Sequence, residues 1–318
     1  MTTATGTAAA ATAAISCRNL TKRYGELRAV DGVTFEVRQG EIFGIIGPNG
    51  AGKTTMMECI EGLRARDEGT VEIFGADPER DPRTVRERIG VQLQLSALPE
   101  RITVSEALDL FASFYAHPAD WRPLLERLGL GGKASSYVEK LSGGQRQRVF
   151  IALALVHAPD LVFLDELTTG LDPQARLAIW DVISDIRDSG TTIVLTTHFM
   201  AEAERLCDRV AVVDHGTIVA LDTIPNLIAS LGVDSKLSFT VNGDPPMEAL
   251  RAVAGVSAVE RDSHRIVVRG HGNRFPHDVL GVLADADLWA QDLRTEQPTL
   301  EDVFLTLTGR HIREGVPA

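Results

Sequence analysis

The sequence predicts an α/β core that carries a helical insertion and is followed by a small α+β domain. Three observations predict it. Short β-like runs alternate with helix-like stretches from Arg18 to about Ser230, the order expected of a largely parallel sheet covered by helices. Between about Ser96 and Leu141 the strands stop and only helical patterning remains. Around Ser230–Lys236 the texture changes again, and a second, shorter series of strands and helices begins. A chain of 318 residues has room for one large domain and a smaller one.

In chain order, residues 1–17 hold no charged side chain and are nearly all Ala and Thr. Lacking the basic start and Leu-rich stretch of a signal peptide, they read as a flexible tail. The missing basic start also argues against a lipid-attachment box at Ala14-Ile15-Ser16-Cys17. Residues 18–230 form the core domain, with β-like runs at Phe35–Val37, Ile42–Ile46, Leu161–Leu164, Thr192–Thr196 and Val210–Val213. Its helical insertion covers about residues 96–157, and Val104–Ala116 and Trp121–Leu130 are its clearest helices. Residues 231–318 form the α+β domain. Strand-like Leu237–Val241, Arg265–Arg269 and Leu288–Asp292 alternate there with helix-like Met247–Val253, Phe275–Ala284 and Leu300–Leu307, a series that suits a ferredoxin-like fold.

Composition narrows the function classes. Hydrophobic residues make up 44% and charged residues 24%, the profile of a folded domain with a real core. The net charge of −12 argues against sequence-independent binding to nucleic acid or anionic lipid, so no nucleic-acid partner is expected. Cys17, Cys59 and Cys207 form no CxxC pair, which excludes a disulfide framework and suits a reducing compartment. No run reaches the ~20 apolar residues that span a bilayer.

The sharpest motif is Gly47-Pro48-Asn49-Gly50-Ala51-Gly52-Lys53-Thr54-Thr55, a GxxxxGK[ST] phosphate loop. It follows the apolar run Ile42–Ile46 and precedes a helical stretch, the setting this motif requires. Its glycines let successive backbone N–H groups point at phosphate oxygens, and the helix N-terminus adds partial positive charge. Lys53 reaches the β- and γ-phosphates as a point charge, and the Thr54 hydroxyl ligates Mg²⁺. An ordinary glycine-rich turn is the plain alternative, but chance produces such a match on the order of once in a hundred chains of this length.

Two further motifs extend the chemistry. Leu161-Val162-Phe163-Leu164-Asp165-Glu166 is an apolar strand ending in two carboxylates. Beside a phosphate loop, Asp165 is placed to hold Mg²⁺ and Glu166 to orient or deprotonate the attacking water. Leu141-Ser142-Gly143-Gly144-Gln145 precedes an apolar helix. Ser142 makes a good N-cap, and the glycines expose N–H groups at a helix start, a second anion site or simply a capped helix. One nucleotide needs only one cradle, so the surplus points to a second molecule.

With these residues in this order, the sequence resembles the ATP-binding-cassette ATPases, P-loop NTPases with a helical subdomain, over roughly Arg18 to Ser230. The shared features are the loop Gly47–Thr55, the signature Leu141–Gln145, the strand Leu161–Glu166, Gly170-Leu171-Asp172 and His198. The resemblance implies ATP and Mg²⁺ as cofactors and a homodimer that sandwiches two ATP molecules. Each nucleotide would lie between one copy's phosphate loop and the other's Ser142, Gly143, Gly144 and Gln145. His198 would contact the γ-phosphate in cis, Asp172 would bridge the two sites, and Tyr24 would stack on adenine. Gln94 matches the Mg²⁺-sensing glutamine, with Gln92 as its rival because Leu93 stands where relatives carry Pro. Leu167 and Thr169 also depart from the usual Pro and Ser without removing a catalytic group.

A single cassette without a membrane span implies, through the same resemblance, a subunit that docks on a separate membrane-spanning permease at the cytoplasmic face. The stretch Gln297–Arg310, with Leu300-Glu301-Asp302-Val303-Phe304-Leu305 at its centre, looks like the C-terminal end of ATPases from bacterial drug- and antibiotic-exporting systems. Export of a lipid or polysaccharide, or a non-transport role, is the alternative.

Overall fold

A computed structural model of the chain describes residues 13–92, 98–99, 101–232, 234–262, 265–272 and 274–309. Contacts divide the chain into two units, one reaching Ile224 and the other Pro225–Arg310; the sequence suggests a boundary at Ser230.

The first unit opens with Ala13–Tyr24 (β1) and Leu27–Arg38 (β2), an antiparallel hairpin that buries Ile15, Cys17, Leu20, Val33, Phe35 and Val37. Residues 13–17 therefore belong to a strand and not to a tail. Ala14, Ile15 and Cys17 are apolar side chains with no solvent exposure, which ties this stretch down and leaves the Cys17 thiol inaccessible to lipid attachment. Residues 1–12 lie outside the described residues. Ile42–Ile46 (β3), buried throughout, comes next, then Lys53–Glu61 (α1) and Glu68–Ile73 (β4). β4 joins the hairpin in a three-stranded sheet of order β2-β1-β4.

Pro82–Arg86 (α2) and Ile89–Gln92 (β5) precede the helical insertion. The insertion contains Val104–Ala112 (α3), Trp121–Arg127 (α4), two short 3-10 turns and Gly143–Leu155 (α5). α3 begins at a capping box between Thr103 and Glu106 and ends sooner than expected, at a cap on Ser113. Leu161–Asp165 (β6), Pro173–Asp188 (α6), Thr192–Thr197 (β7), Met200–Leu206 (α7), Arg209–Asp214 (β8) and Thr217–Asp222 (β9) complete the unit.

Five of these strands run parallel in the order β5-β6-β7-β3-β8, with β9 antiparallel on β8. Successive side chains of a strand point to opposite faces, and both faces are covered here. Phe43, Ile45, Phe163 and Val194 pack with Met56, Met57 and Ile60 of α1 and with the hairpin, where Phe35 stacks on Phe43 at 5.2 Å. Ile42, Val162, Leu164, Ile193 and Leu195 pack against α3, α5 and α6. Double coverage explains why these strands read as continuous apolar runs.

The boundary falls after the first residue of Ile224–Ser230 (α8), and the second unit goes on through Ser235–Val241 (β10), Met247–Arg251 (α9), Val256–Asp262 (β11), Arg265–Gly270 (β12), Phe275–Asp285 (α10), Ala290–Glu296 (β13) and Leu300–Thr308 (α11). Its antiparallel sheet has the order β11-β12-β10-β13. The series β-α-β-β-α-β with that order is the ferredoxin-like topology. Leu237, Phe239, Leu250, Ile266, Val268, Phe275 and Val279 form its core. Among the described residues no helix is long and apolar enough to cross a membrane.

Candidate nucleotide site

The site is assembled at the carboxyl ends of three neighbouring parallel strands, β6, β7 and β3. This is where an open α/β sheet leaves a crevice for a ligand. The phosphate loop leaves β3 and turns into α1 at Gly52, whose φ of 98° lies in the left-handed region. A Cβ at Gly52 would run into the Ala29 carbonyl oxygen, so both conformation and space demand glycine. Gly47 is similarly pressed against the Val213 carbonyl oxygen. The Gly216 amide donates to the Ala51 carbonyl at 2.9 Å, fastening the loop to the turn after β8.

Lys53 is buried, 4% exposed, and its ammonium donates to the carbonyls of Gly47 at 3.0 Å and Pro48 at 3.1 Å. Its Nζ also lies 3.6 Å from Glu166 Oε1. Burial lowers the Lys53 pKa, with the Glu166 carboxylate acting in the opposite direction. His198, just beyond β7, places Nδ1 3.4 Å from the same Glu166 oxygen. The His198 contact, helped by Lys53, holds the Glu166 carboxyl below its usual range against the cost of burial. Glu166 itself has a φ of 47°. Its amide is pinned by the Thr196 carbonyl at 3.2 Å and hydroxyl at 3.1 Å, which aims the side chain back at Lys53.

Asp165 ends β6 and is buried. Burial raises its pKa, while hydrogen bonds donated by the hydroxyls of Thr196 and Thr54 favour the carboxylate. Thr54 and Asp165 thus present two hard oxygen donors side by side. Mg²⁺ is commonly held by one or two protein oxygens together with substrate phosphates, and this donor set fits it. Among the described residues no group of three or more His, Cys, Asp or Glu could hold a metal by itself.

Beside the loop lies a cavity of about 500 Å³, lined by Asn49, Gly50, Gly52, Lys53, Thr54 and Thr55, with Tyr24 and Glu166 at its wall. Tyr24 is 43% exposed, with Lys22 and Arg64 within 6 Å of its ring centroid, at 5.8 and 5.5 Å. The sequence-predicted Ser142, Gly143, Gly144, Gln145 and Asp172 do not line this cavity. They form a separate cluster. The Ser142 hydroxyl accepts from the Gln145 amide at 3.3 Å and the Gln145 side chain returns the bond to the Ser142 amide at 3.2 Å, capping α5. Asp172 caps α6 by accepting from Ala175 N at 2.9 Å. The two helix starts abut: a Cβ on Gly144 would sit 3.0 Å from that of Ala175. Ser142 and Asp172 are both exposed. Gln94 lies outside the described residues, and its rival Gln92 ends β5, buried.

Four contributing residues belong to no motif. Thr196 holds both Asp165 and Glu166. Glu202, 2% exposed, accepts from the Thr168 hydroxyl at 2.8 Å and the Trp180 indole at 3.0 Å, securing the segment after Glu166. Arg28 and His215 add polar groups to the cavity wall. None of them has a signal of its own in the sequence: β7 is buried throughout and so shows no alternation that would single out Thr196, and Glu202 is a carboxylate on the buried side of α7.

Comparison with known proteins supplies the lineage. Residues 30–169 match the ABC transporter family model. The daunorubicin resistance ATP-binding protein DrrA3 of Streptomyces coeruleorubidus is 36% identical over 95% of this chain and 98% of its own. This chain is an ABC ATPase. The cassette is likewise 43% identical to a Nod factor export ATP-binding protein I of Burkholderia orbicola, over 95% of this chain and 99% of that one. It is 33% identical to the linearmycin resistance ATP-binding protein LnrL of Bacillus subtilis, over 94% of this chain and 100% of the relative. Among solved structures, an ATP-binding subunit of an ABC transporter superposes with a TM-score of 0.62 at 31% identity, covering 69% of the cassette and 93% of that chain. A dimeric bacterial ABC transporter cassette gives 0.59 at 28% identity, over 66% and 98%.

Proposed function

We propose that the cassette binds Mg-ATP between two copies of itself and drives export of a drug or antibiotic through a separate membrane permease, from the inner face of the cell membrane. The observation that carries this reading is the convergence of Lys53, Asp165, Glu166 and His198 on one point beside the phosphate loop. On binding, the Lys53 ammonium exchanges the Gly47 and Pro48 carbonyls for β- and γ-phosphate oxygens. Thr54 and Asp165 would hold Mg²⁺, which would supply positive charge against the phosphates. Glu166, kept ionised, accepts a hydrogen bond from the attacking water and orients it, while His198 fixes the Glu166 carboxylate. Tyr24 supplies a face for adenine.

The separation of the Ser142 cluster from the Lys53 cavity supports a composite site, in which the second copy's signature closes over the γ-phosphate. The relative solved as a dimer supports the same arrangement. Relatives named for daunorubicin and linearmycin resistance support drug or antibiotic cargo; the relative named for Nod factor export supports a second reading, a Nod-factor-like cargo. For the permease, the cassette offers a groove of about 660 Å³ between its core and its helical insertion. Phe111, Phe114, Tyr115 and Leu63 line it, and Phe114 is 67% exposed. Such aromatic groups in water mark a docking surface.

The test is Glu166→Gln. The amide keeps the shape of the site but not the charge that orients water, so ATP binds and persists. The expected result is an ATP-dependent dimer on size-exclusion chromatography that ADP does not support and that Ser142→Arg breaks. Undiminished hydrolysis by Glu166→Gln would remove Glu166 from the mechanism.

A further inference from the structure

Glu61 is the last residue of α1, the helix whose first residue is Lys53. It is 5% exposed, and its side chain lines the groove that also holds Phe111, Phe114 and Tyr115. Among the described residues it makes no hydrogen bond and no ion pair. A buried polar group ordinarily has such a partner, and a buried acid without one is costly. Its surroundings increase that cost. The C-terminal end of a helix carries partial negative charge, and Asp165 and Glu58 both act on Glu61 electrostatically. Burial and these two carboxylates push its pKa up to about 8. Every local field at this point favours an arriving cation.

The rim has the opposite sign. Arg83 and Arg86, on the last turn of α2, line the same groove and are exposed, and among the described residues neither has an ion-pair partner. Glu87 lies beside them. The groove is therefore apolar along its walls, acidic at one buried point and predominantly basic at the edge.

We propose that Glu61 is the charge-reading group of this groove, receiving the ammonium or guanidinium of a Lys or Arg on the otherwise apolar face of the permease segment that docks there. The outward side of the same segment carries carboxylates that meet Arg83 and Arg86. The inference rests on the groove being the docking surface. It adds a requirement that aromatic contacts alone do not impose: a permease segment lacking that buried cation is rejected. α1 would then join the docked segment at one end to the phosphate loop at the other.

Photocrosslinking tests it. The full chain, carrying p-benzoylphenylalanine at position 114, is mixed with inverted membrane vesicles from cells that produce the protein, irradiated, and the captured peptide sequenced. The expected capture is a cytoplasmic segment of a membrane protein with an apolar face bearing Lys or Arg. Adding Glu61→Gln should lower the yield by about tenfold or more, as for a buried ion pair that loses one member, while ATP hydrolysis by the isolated chain is unchanged. Replacing the captured Lys or Arg by Glu should abolish capture, and Glu61→Lys should restore it. A captured segment with no basic residue, or equal capture by Glu61→Gln, overturns the role of Glu61 and leaves the groove as the docking surface. Failure to capture any membrane protein overturns both.

Discussion

At the scale of single residues, burial and charge separate the acids of this protein by task. Glu166 is held low by His198 and Lys53, whereas Glu61 is raised to about 8 by burial beside Asp165 and Glu58. That second displacement makes stability depend on pH in a defined direction. Below about pH 4 Glu61 is protonated whether the chain is folded or not, and it carries no penalty. Between there and its folded value, unfolded chains release the proton and folded chains keep it, so stability falls as pH rises. The loss is complete above the folded value and is on the order of 5 kcal/mol if the group is fully ionised in place. Glu61→Gln should therefore gain stability over the parent chain as pH is raised from about 5 to about 8. Melting temperatures across that range check it, and a gap that does not widen with pH would show that Glu61 has an ordinary pKa. Tyr24 makes a different prediction. If adenine stacks on its ring, Tyr24→Ala should weaken ATP binding by ~1–3 kcal/mol, measurable by calorimetry, without altering the fold.

At the scale of elements, the turn from β3 into α1 bears both conformational and packing constraints. Gly52 combines a left-handed φ of 98° with the close Ala29 carbonyl, whereas Gly50 has a φ of 82° and open space where a Cβ would sit. Gly50→Ala should thus cost only the left-handed conformation, ~1–2 kcal/mol. Gly52→Ala adds a collision with backbone and should cost distinctly more. Urea midpoints of the two variants compare the costs, and equal losses would remove the Ala29 contact from the argument. The same scale explains what was legible in sequence. β3, β6 and β7 are covered on both faces, so their apolar runs announce them, and the motifs at their ends put Lys53, Asp165 and Glu166 in reach. β1 was hidden because its ladder with β2 shifts register four times and Asn19 takes a left-handed φ of 51°, which breaks the alternation. β11 was missed because it lies at a sheet edge and buries only Val259, whereas β13, at the other edge, was found but starts at Ala290, two residues later than the strand-like run Leu288–Asp292 suggests. Thr196, Glu202 and Glu61 had no signal of their own. Their roles arise from contacts with residues 31 and 34 positions away, or from a groove that forms only after the helical insertion packs.

At the scale of the molecule, every group in the candidate site belongs to the first unit, and that unit has its own core. The two clusters that hold β3, β6, β7, α1, α5 and α6 together contain no residue beyond Leu221. The second unit has a separate cluster around Phe239, Ile266 and Phe275 and a complete four-stranded sheet. Independent cores are what allow parts of a chain to fold alone. A chain ending at Ile224 is therefore expected to fold and to bind ATP with the affinity of the full protein, since Tyr24, Lys53, Thr54, Asp165, Glu166 and His198 are all retained. Coupling to the proposed permease, or the stability of the proposed dimer, is where loss of residues 225–318 should register. Circular dichroism and calorimetric ATP titration of the shortened chain decide the matter. A shortened protein that melts cooperatively but no longer binds ATP would mean that the nucleotide site borrows from the second unit, and the division of labour between the two would have to be redrawn.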